Sequence, residues 1–401
     1  MSEYLKDLES LLHKSLGDDT IVERYVTGEL LPPGENYGSK LLSVHAVIKR
    51  SDKEDPEDLN LVAKLPPPTQ LQRDMFDTPF TFQKEIFMYS DILPFYEQLE
   101  KANGVNEPEI SPRYYGSRLS LSSDVDFDDN AAILLDNLTP KGYYSTDKRR
   151  GCDLVHAKLI IKAMARFHAL GMATKEKDPE FFGVLKKRSK CLDGKNGDQW
   201  GKMVQKQLQE IADDPEIGKF WEACVKTVES TDASVWTDPP EEPWSTIIHS
   251  DCWANNILFH KPDGSDEPDD IKFVDYQNYL FLSPARELTF FLGSGLDADT
   301  VPHAHELIDY YYDEVIRRLK ALNCQVEMYS PESFREMVRR DGRVEFTHCL
   351  FMARLMNLDV DANDPESYAV ENLFTRPNGK TYKERLRHVV KFFQGRGWLA
   401  Q

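Results

Sequence analysis

Three oxygen-bearing side chains, close together in the sequence, define the chemistry this chain is equipped for. The segment Ile247-Ile248-His249-Ser250-Asp251-Cys252-Trp253-Ala254-Asn255-Asn256-Ile257-Leu258-Phe259 is followed by Lys261-Pro262-Asp263-Gly264 and then by Ile271-Lys272-Phe273-Val274-Asp275-Tyr276-Gln277. This pattern predicts a polar loop after an apolar run, a strand at 257–259, a Pro/Gly turn and a second strand ending in Asp275. A hairpin returns the chain to its start, so Asp251, Asn256 and Asp275 are expected to converge. Two carboxylates and an amide are hard oxygen donors, suited to Mg²⁺ and poorly suited to zinc. A carboxylate left off the metal can accept a proton from a hydroxyl.

Hydrophobic periodicity outlines the elements that must hold these groups. Leu5, Leu8, Leu11, Leu12 and Leu16 have helical spacing. From about Ile21 to Leu65 the pattern changes to strands, ended by Pro66-Pro67-Pro68, whose fixed φ angles and missing donors cannot continue a ladder. A helix is expected from about Pro79 to Leu93, then strands near 113–119 and 131–135. Beyond Asn137 the character becomes helical, over Leu154–Leu170, Val204–Val228, 287–292, 305–319, 340–358 and 382–393. The charged stretch from Lys175 to Asp198 reads as loop-rich. The expectation is a small β-rich lobe followed by a larger helical one with a central hairpin.

The five-residue step from Asp251 to Asn256 resembles the catalytic loop of the protein-kinase-like phosphotransferases. Other features fall in the same order. Gly34-Glu35-Asn36-Tyr37-Gly38-Ser39 lies between strands, where a glycine-rich loop covers phosphates, and Lys64 ends the strand Leu61-Val62-Ala63-Lys64. Glu85 on the next helix is placed to pair with it, and Leu134-Leu135-Asp136-Asn137-Leu138 stands where a hinge binds adenine through backbone groups. There is no Ala-Pro-Glu closing a peptide-binding segment; Ser283-Pro284-Ala285-Arg286-Glu287-Leu288 leads straight into a helix, which favours a small-molecule acceptor.

Taken with Ala165-Arg166-Phe167-His168-Ala169, His249-x-Asp251-x-Trp253-x-x-Asn256, Asp275-Tyr276-Gln277 and Tyr329-Ser330-Pro331-Glu332, the chain resembles the ecdysteroid kinase-like family. That family is also described as CHK kinase-like and is related to aminoglycoside phosphotransferases. The resemblance implies an α+β, bilobal protein-kinase-like fold, with a small β-rich N-lobe over 1–137 and a large, mainly helical C-lobe over 138–401. It implies ATP as phosphoryl donor and Mg²⁺ as cofactor. Asp251 would be the base, and Asn256 and Asp275 the metal ligands. Gly34, Asn36, Tyr37, Gly38, Ser39, Lys64, Glu85, Asp136 and Leu138 would hold the nucleotide. The implied acceptor is a hydroxyl of a small lipophilic molecule, an ecdysteroid or a related steroid or xenobiotic alcohol. His168 and His249 are expected to brace the loop. Ser250 stands where the family usually has Gly, Asp136-Asn137 where it has Glu-Asp, Tyr276 where it has Phe, and Glu287 where it has Asp.

Composition bounds the rest. In 401 residues, 49 Lys+Arg face 68 Asp+Glu, a formal net charge of −19, which disfavours nucleic acid and polybasic membrane docking. Six cysteines without a C-x-x-C pair read as free thiols in a reducing cytosol. No apolar run nears the roughly 20 residues that span a bilayer. The alternatives are an inactive kinase-like module that binds nucleotide or lipid, and a metal-dependent hydrolase using Asp251, Asp275 and His249. The second leaves Gly34–Ser39, Lys64 and Glu85 without a role.

Overall fold

Leucines at helical spacing form the helix Leu8–Leu16 (α1), and Asp7 caps it by accepting from Ser10 N. Its apolar face, Leu8, Leu11 and Leu12, packs with Leu42, Val44, Leu61, Ala63 and Leu134 in one core. These last residues belong to a five-stranded antiparallel sheet of β1 (Ile21–Glu29), β2 (Lys40–Lys49), β3 (Glu57–Leu65), β4 (Tyr114–Arg118) and β5 (Ala132–Asp136), in the order β1-β2-β3-β5-β4. Helix α1 lies so close to β4 that a Cβ on Gly116 would sit 2.0 Å from the Leu11 carbonyl oxygen; only glycine fits there. The computed structural model describes residues 4–32, 35–192, 197–359, 361, 364, 369 and 372–401. Its architecture is α+β, in two compact units, the first built on residues 1–94 and 111–144 and the second on 95–110, 145–359 and 373–401.

In the first unit, Leu65 ends β3 where the three prolines begin. The helices α2 (Gln70–Met75) and α3 (Thr78–Phe87) follow. One helix over 79–93 is expected from the sequence, but α3 gives way to a π-helical turn, Met88–Ile92, before α4 (Leu93–Ala102), most of which belongs to the second unit. Leu93 N–H reaches back to Met88 O, and Pro94 has no N–H with which to continue an α-type ladder. A two-residue strand, Tyr143–Tyr144 (β6), follows β5 in this unit.

The second unit also contains the 24-residue α5 (Leu154–Lys177), capped by Asp153. The stretch read as loop-rich from 175 contains α6 (Pro179–Arg188) instead. Asp178 caps it, Pro179 starts it, and only Phe182 and Leu185 are buried, a stripe too narrow to stand out among the charges. The single helix expected over 204–228 is two, α7 (Gly197–Ala212) and α8 (Trp221–Glu229). Asp214 breaks the run by accepting from Glu216 N and Ile217 N around Pro215. Then come β7 (Thr246–Ile248), β8 (Ile257–His260), β9 (Asp270–Phe273), β10 (Leu280–Leu282), α9 (Pro284–Ser294), α10 (Ala304–Ala321), α11 (Pro331–Gly342), α12 (Phe346–Leu355) and α13 (Tyr382–Gly395). Strands β8 and β9 form the expected hairpin, and β7 pairs with β10. No helix among the described residues is long and apolar enough to cross a membrane.

Candidate active site

The hairpin register does what its spacing predicts. Ile257 pairs with Phe273, and Val274 N donates to Asn256 O at 3.0 Å, so Asn256 lies beside the residue that precedes Asp275. Asn256 Nδ2 donates to Asp251 Oδ2 at 2.9 Å and to the Asp251 carbonyl at 3.0 Å. His249 ties the two strands of chain together. Its Nε2 donates to Val274 O at 2.9 Å, and its Nδ1 accepts from Asp251 N at 3.3 Å. Ser250 and Asp275 both adopt positive φ, 68° and 65°, a conformation that costs a non-glycine residue roughly 1–2 kcal/mol. Strained backbone therefore flanks the loop on both sides.

Charge in this loop is crowded. Asp251 is partly exposed, yet loss of water around its carboxyl, and then the nearby Asp275, push its pKa up to about 6. His249, His348 and the Asn256 hydrogen bond pull it the other way. A second acid close enough to raise the proton affinity of Asp251 is the arrangement a cation relieves.

The loop is held from behind by α9. Glu287, in that helix's first turn, accepts from His249 N at 3.0 Å and from Ser250 N at 2.9 Å. It also hydrogen-bonds His168 Nε2 at 2.6 Å, while His168 Nδ1 meets the Tyr311 hydroxyl at 2.8 Å. Burial raises the Glu287 pKa, but His168, by its hydrogen bond and its charge, and then His249 outweigh it and leave the carboxyl below its usual range. Helix α5, which carries His168, lies tight on β7: a Cβ on Gly171 would come 2.3 Å from Thr246 Oγ1, and that hydroxyl donates to His168 O. The expected bracing by His168 thus runs through Glu287, whose only mark in the sequence is that it stands where the family usually has Asp.

In the first unit, Lys64 and Glu85 form an ion pair at 2.5 Å, with side chains 4% and 1% exposed. The register puts Lys64 opposite Leu41 on β2 and Ile133 on β5. Of the expected phosphate-covering turn, Gly34 lies outside the described residues. The rest is knit by Asn36, whose Nδ2 donates to Ser39 Oγ at 2.9 Å and whose Oδ1 accepts from Gly38 N at 3.3 Å. Gln72 Nε2 donates to Tyr37 O at 3.1 Å. At the expected hinge, Asp136 N donates to Arg113 O and Asp136 pairs with Lys141. The Leu138 carbonyl accepts from Lys141 N, whereas its own N–H has no partner among the described residues.

A buried lysine–glutamate ion pair between a strand and a helix, and a loop of two carboxylates and an amide, mark a kinase-like phosphotransferase. The chain belongs to the ecdysteroid kinase-like family, which it matches over residues 33–324, more than half its length. No curated protein matches it. Among solved structures it is similar to an ethanolamine kinase of Plasmodium vivax, at 10% identity and a TM-score of 0.44, over 98% of this chain and 87% of that one. It is also similar to a spectinomycin phosphotransferase in complex with ADP and spectinomycin, at 12% identity and 0.42, over 92% and 93%. A third is a microcompartment-associated aminopropanol kinase, at 9% and 0.38, over 96% and 95%. At these scores the likenesses decide nothing about this chain.

Proposed function

We propose that this chain transfers the terminal phosphoryl group of ATP to a hydroxyl of a small lipophilic molecule, an ecdysteroid or a related steroid or xenobiotic alcohol. Family membership supports the class. The observation that carries the reading is the Asp251 carboxyl held at 2.9 Å by Asn256 with a second carboxylate crowding it. Asp251 takes the hydroxyl proton as the oxygen bonds to phosphorus and the bond to the departing ADP oxygen breaks. Glu287 and His249 fix the loop so that this carboxyl does not wander.

Asn256 and Asp275 fit Mg²⁺. Both Nδ2 hydrogens of Asn256 go to Asp251, which leaves its Oδ1 without a hydrogen bond among the described residues and beside a carboxylate. Among those residues no three His, Cys, Asp or Glu side chains cluster as a cage; a few protein oxygens plus phosphates and water is the usual Mg²⁺ shell. Mg²⁺ would neutralise phosphate charge that a chain of net charge −19 otherwise repels. Lys64, set by Glu85, would grip the phosphates under the turn Asn36–Ser39, and the open Leu138 N–H would receive adenine. Residues 1–137 are the nucleotide-holding part in this reading, and 138–401 the acceptor part.

The test is transfer from labelled ATP, with Mg²⁺, to a panel of hydroxylated steroids. Wild-type protein should yield phosphosteroid, and Asp251→Asn should lower the rate about 10³-fold. Tight ATP binding with no transfer to any acceptor would instead favour a regulatory nucleotide-binding module. Ester cleavage without ATP would favour a hydrolase.

A further inference from the structure

Away from the loop, three arginines of the second unit meet beside a cavity of about 120 Å³. Two of them are engaged by glutamates. Arg166, on α5, donates from Nε and Nη2 to the two carboxylate oxygens of Glu100 at 2.7 and 2.6 Å, and from Nη1 to Pro108 O at 2.6 Å. Arg317, on α10, holds Glu314 by the same edge, Nε at 3.1 Å and Nη2 at 2.5 Å. The third, Arg318, is 4% exposed, and its Nη1 pairs with Glu107. Its Nε is buried without a hydrogen-bond partner among the described residues; Glu314 Oε2 stands 3.6 Å away and is already taken by Arg317. Its Nη2 donates to none of the described residues.

A guanidinium offers its Nε and Nη2 hydrogens in parallel, the geometry that takes a carboxylate in two bonds. Arg166 and Arg317 spend that edge on Glu100 and Glu314. On Arg318 the same edge is open, and a buried donor without an acceptor is costly. The space beside it is several times what one water needs, and its remaining walls are aliphatic: Val105, Leu170 and Leu322, with Ala321 at the exposed rim. Asn323 Nδ2 donates to Asn103 Oδ1 at 2.8 Å and fastens the end of α10 to the connection after α4, so the two sides of the cavity are held together. With Lys162 one turn before Arg166 on α5, the cations of this cluster outnumber Glu100, Glu107 and Glu314 by one. Arg166 and Leu170, four residues apart, share one face of α5, and His168, two residues from each, lies on the other. The cavity is therefore across the helix from the support of the Asp251 loop.

We propose that this cavity is a binding site for a short aliphatic carboxylate, its two oxygens on Nε and Nη2 of Arg318 and its chain against Val105, Leu170 and Leu322. The site is separate from the phosphotransferase reading and does not depend on it. The test is calorimetry of the full chain, at constant ionic strength, with butyrate and with butyramide, which has nearly the same shape and no charge. Wild-type protein should bind butyrate at least about tenfold tighter, the worth of one hydrogen bond to a charged group. Arg318→Gln, which loses the charged fork, should bring that ratio to about one. Ala321→Trp, at the rim and clear of the buried arginines, should block the mouth and abolish binding of both compounds while the urea midpoint stays near that of the wild type. If Arg318→Gln does not fold, Ala321→Trp decides alone. No heat with butyrate, which would make water the occupant, overturns the proposal. So do equal affinities in the wild type, a ratio that survives Arg318→Gln, and butyrate binding that is unchanged in Ala321→Trp.

Discussion

Two regions take charge out of water in opposite ways. In the first unit, Lys64 and Glu85 are buried together, opposite in sign, on a strand and a helix whose packing fixes them. In the second, Asp251 and Asp275 are alike in sign, carried by a loop with two strained residues, and their proximity helps lift Asp251 to about 6. The first arrangement is balanced by its own residues. The second is balanced only when a cation or a proton arrives, which is the condition of a site that binds and reacts.

Substitutions at the two regions should part company. Asp251→Asn removes the proposed base and one of the crowded charges, so activity should fall about 10³-fold while the urea midpoint of metal-free protein holds or rises. Lys64→Met leaves Glu85 buried without its cation, a loss of about 3–5 kcal/mol, and its urea midpoint should drop accordingly. The contrast fails if Asp251→Asn unfolds as readily as Lys64→Met.

Glu287 tests whether the loop's order comes from α9. It accepts two backbone N–H groups and a histidine, with hydrogen bonds to a charged group worth about 1.5–3 kcal/mol each. Its folded pKa is lowered from the ordinary 4.5. The stabilisation is therefore complete above about 4.5, the unfolded value, and is lost as pH falls through the lower folded value. Glu287→Gln should cost about 2 kcal/mol at neutral pH and flatten the decline in urea midpoint between pH 5 and 3. An unchanged acid limb would mean that other carboxylates account for it.

What the sequence makes legible follows from how far apart the partners lie along the chain. Asp251, Asn256 and Asp275 are joined by one hairpin whose turn, Pro262-Asp263-Gly264, is written between them, and the strand carrying Lys64 ends at a run of prolines. Such local signals need no tertiary knowledge. Glu287 contacts the loop from 37 and 38 positions away, and Arg286 reaches Glu345 across 59. Nothing in the spacing of those residues announces the meetings, because packing of α9 against β7 and against α12 creates them. Helix α6 was hidden for a different reason: with two buried apolar residues among lysines and glutamates, its periodicity is faint.

The smallest expected effect isolates strain from side-chain chemistry in the loop. Ser250 holds φ at 68°, and its N–H, not its hydroxyl, does the bonding, to Glu287 Oε1 at 2.9 Å. Ser250→Gly should relieve the left-handed conformation, offset in part by the greater freedom of an unfolded glycine, for a net gain of about 0.5–1 kcal/mol. Ser250→Ala keeps the strain and deletes only a hydroxyl that makes no hydrogen bond among the described residues, so its urea midpoint should match the wild type. Asp275→Gly relieves a like strain at 65° but removes a proposed metal ligand, and should gain stability while losing phosphoryl transfer. If Ser250→Gly and Ser250→Ala shift the midpoint equally, strain at this position is not what separates the loop from the balanced pair in the sheet.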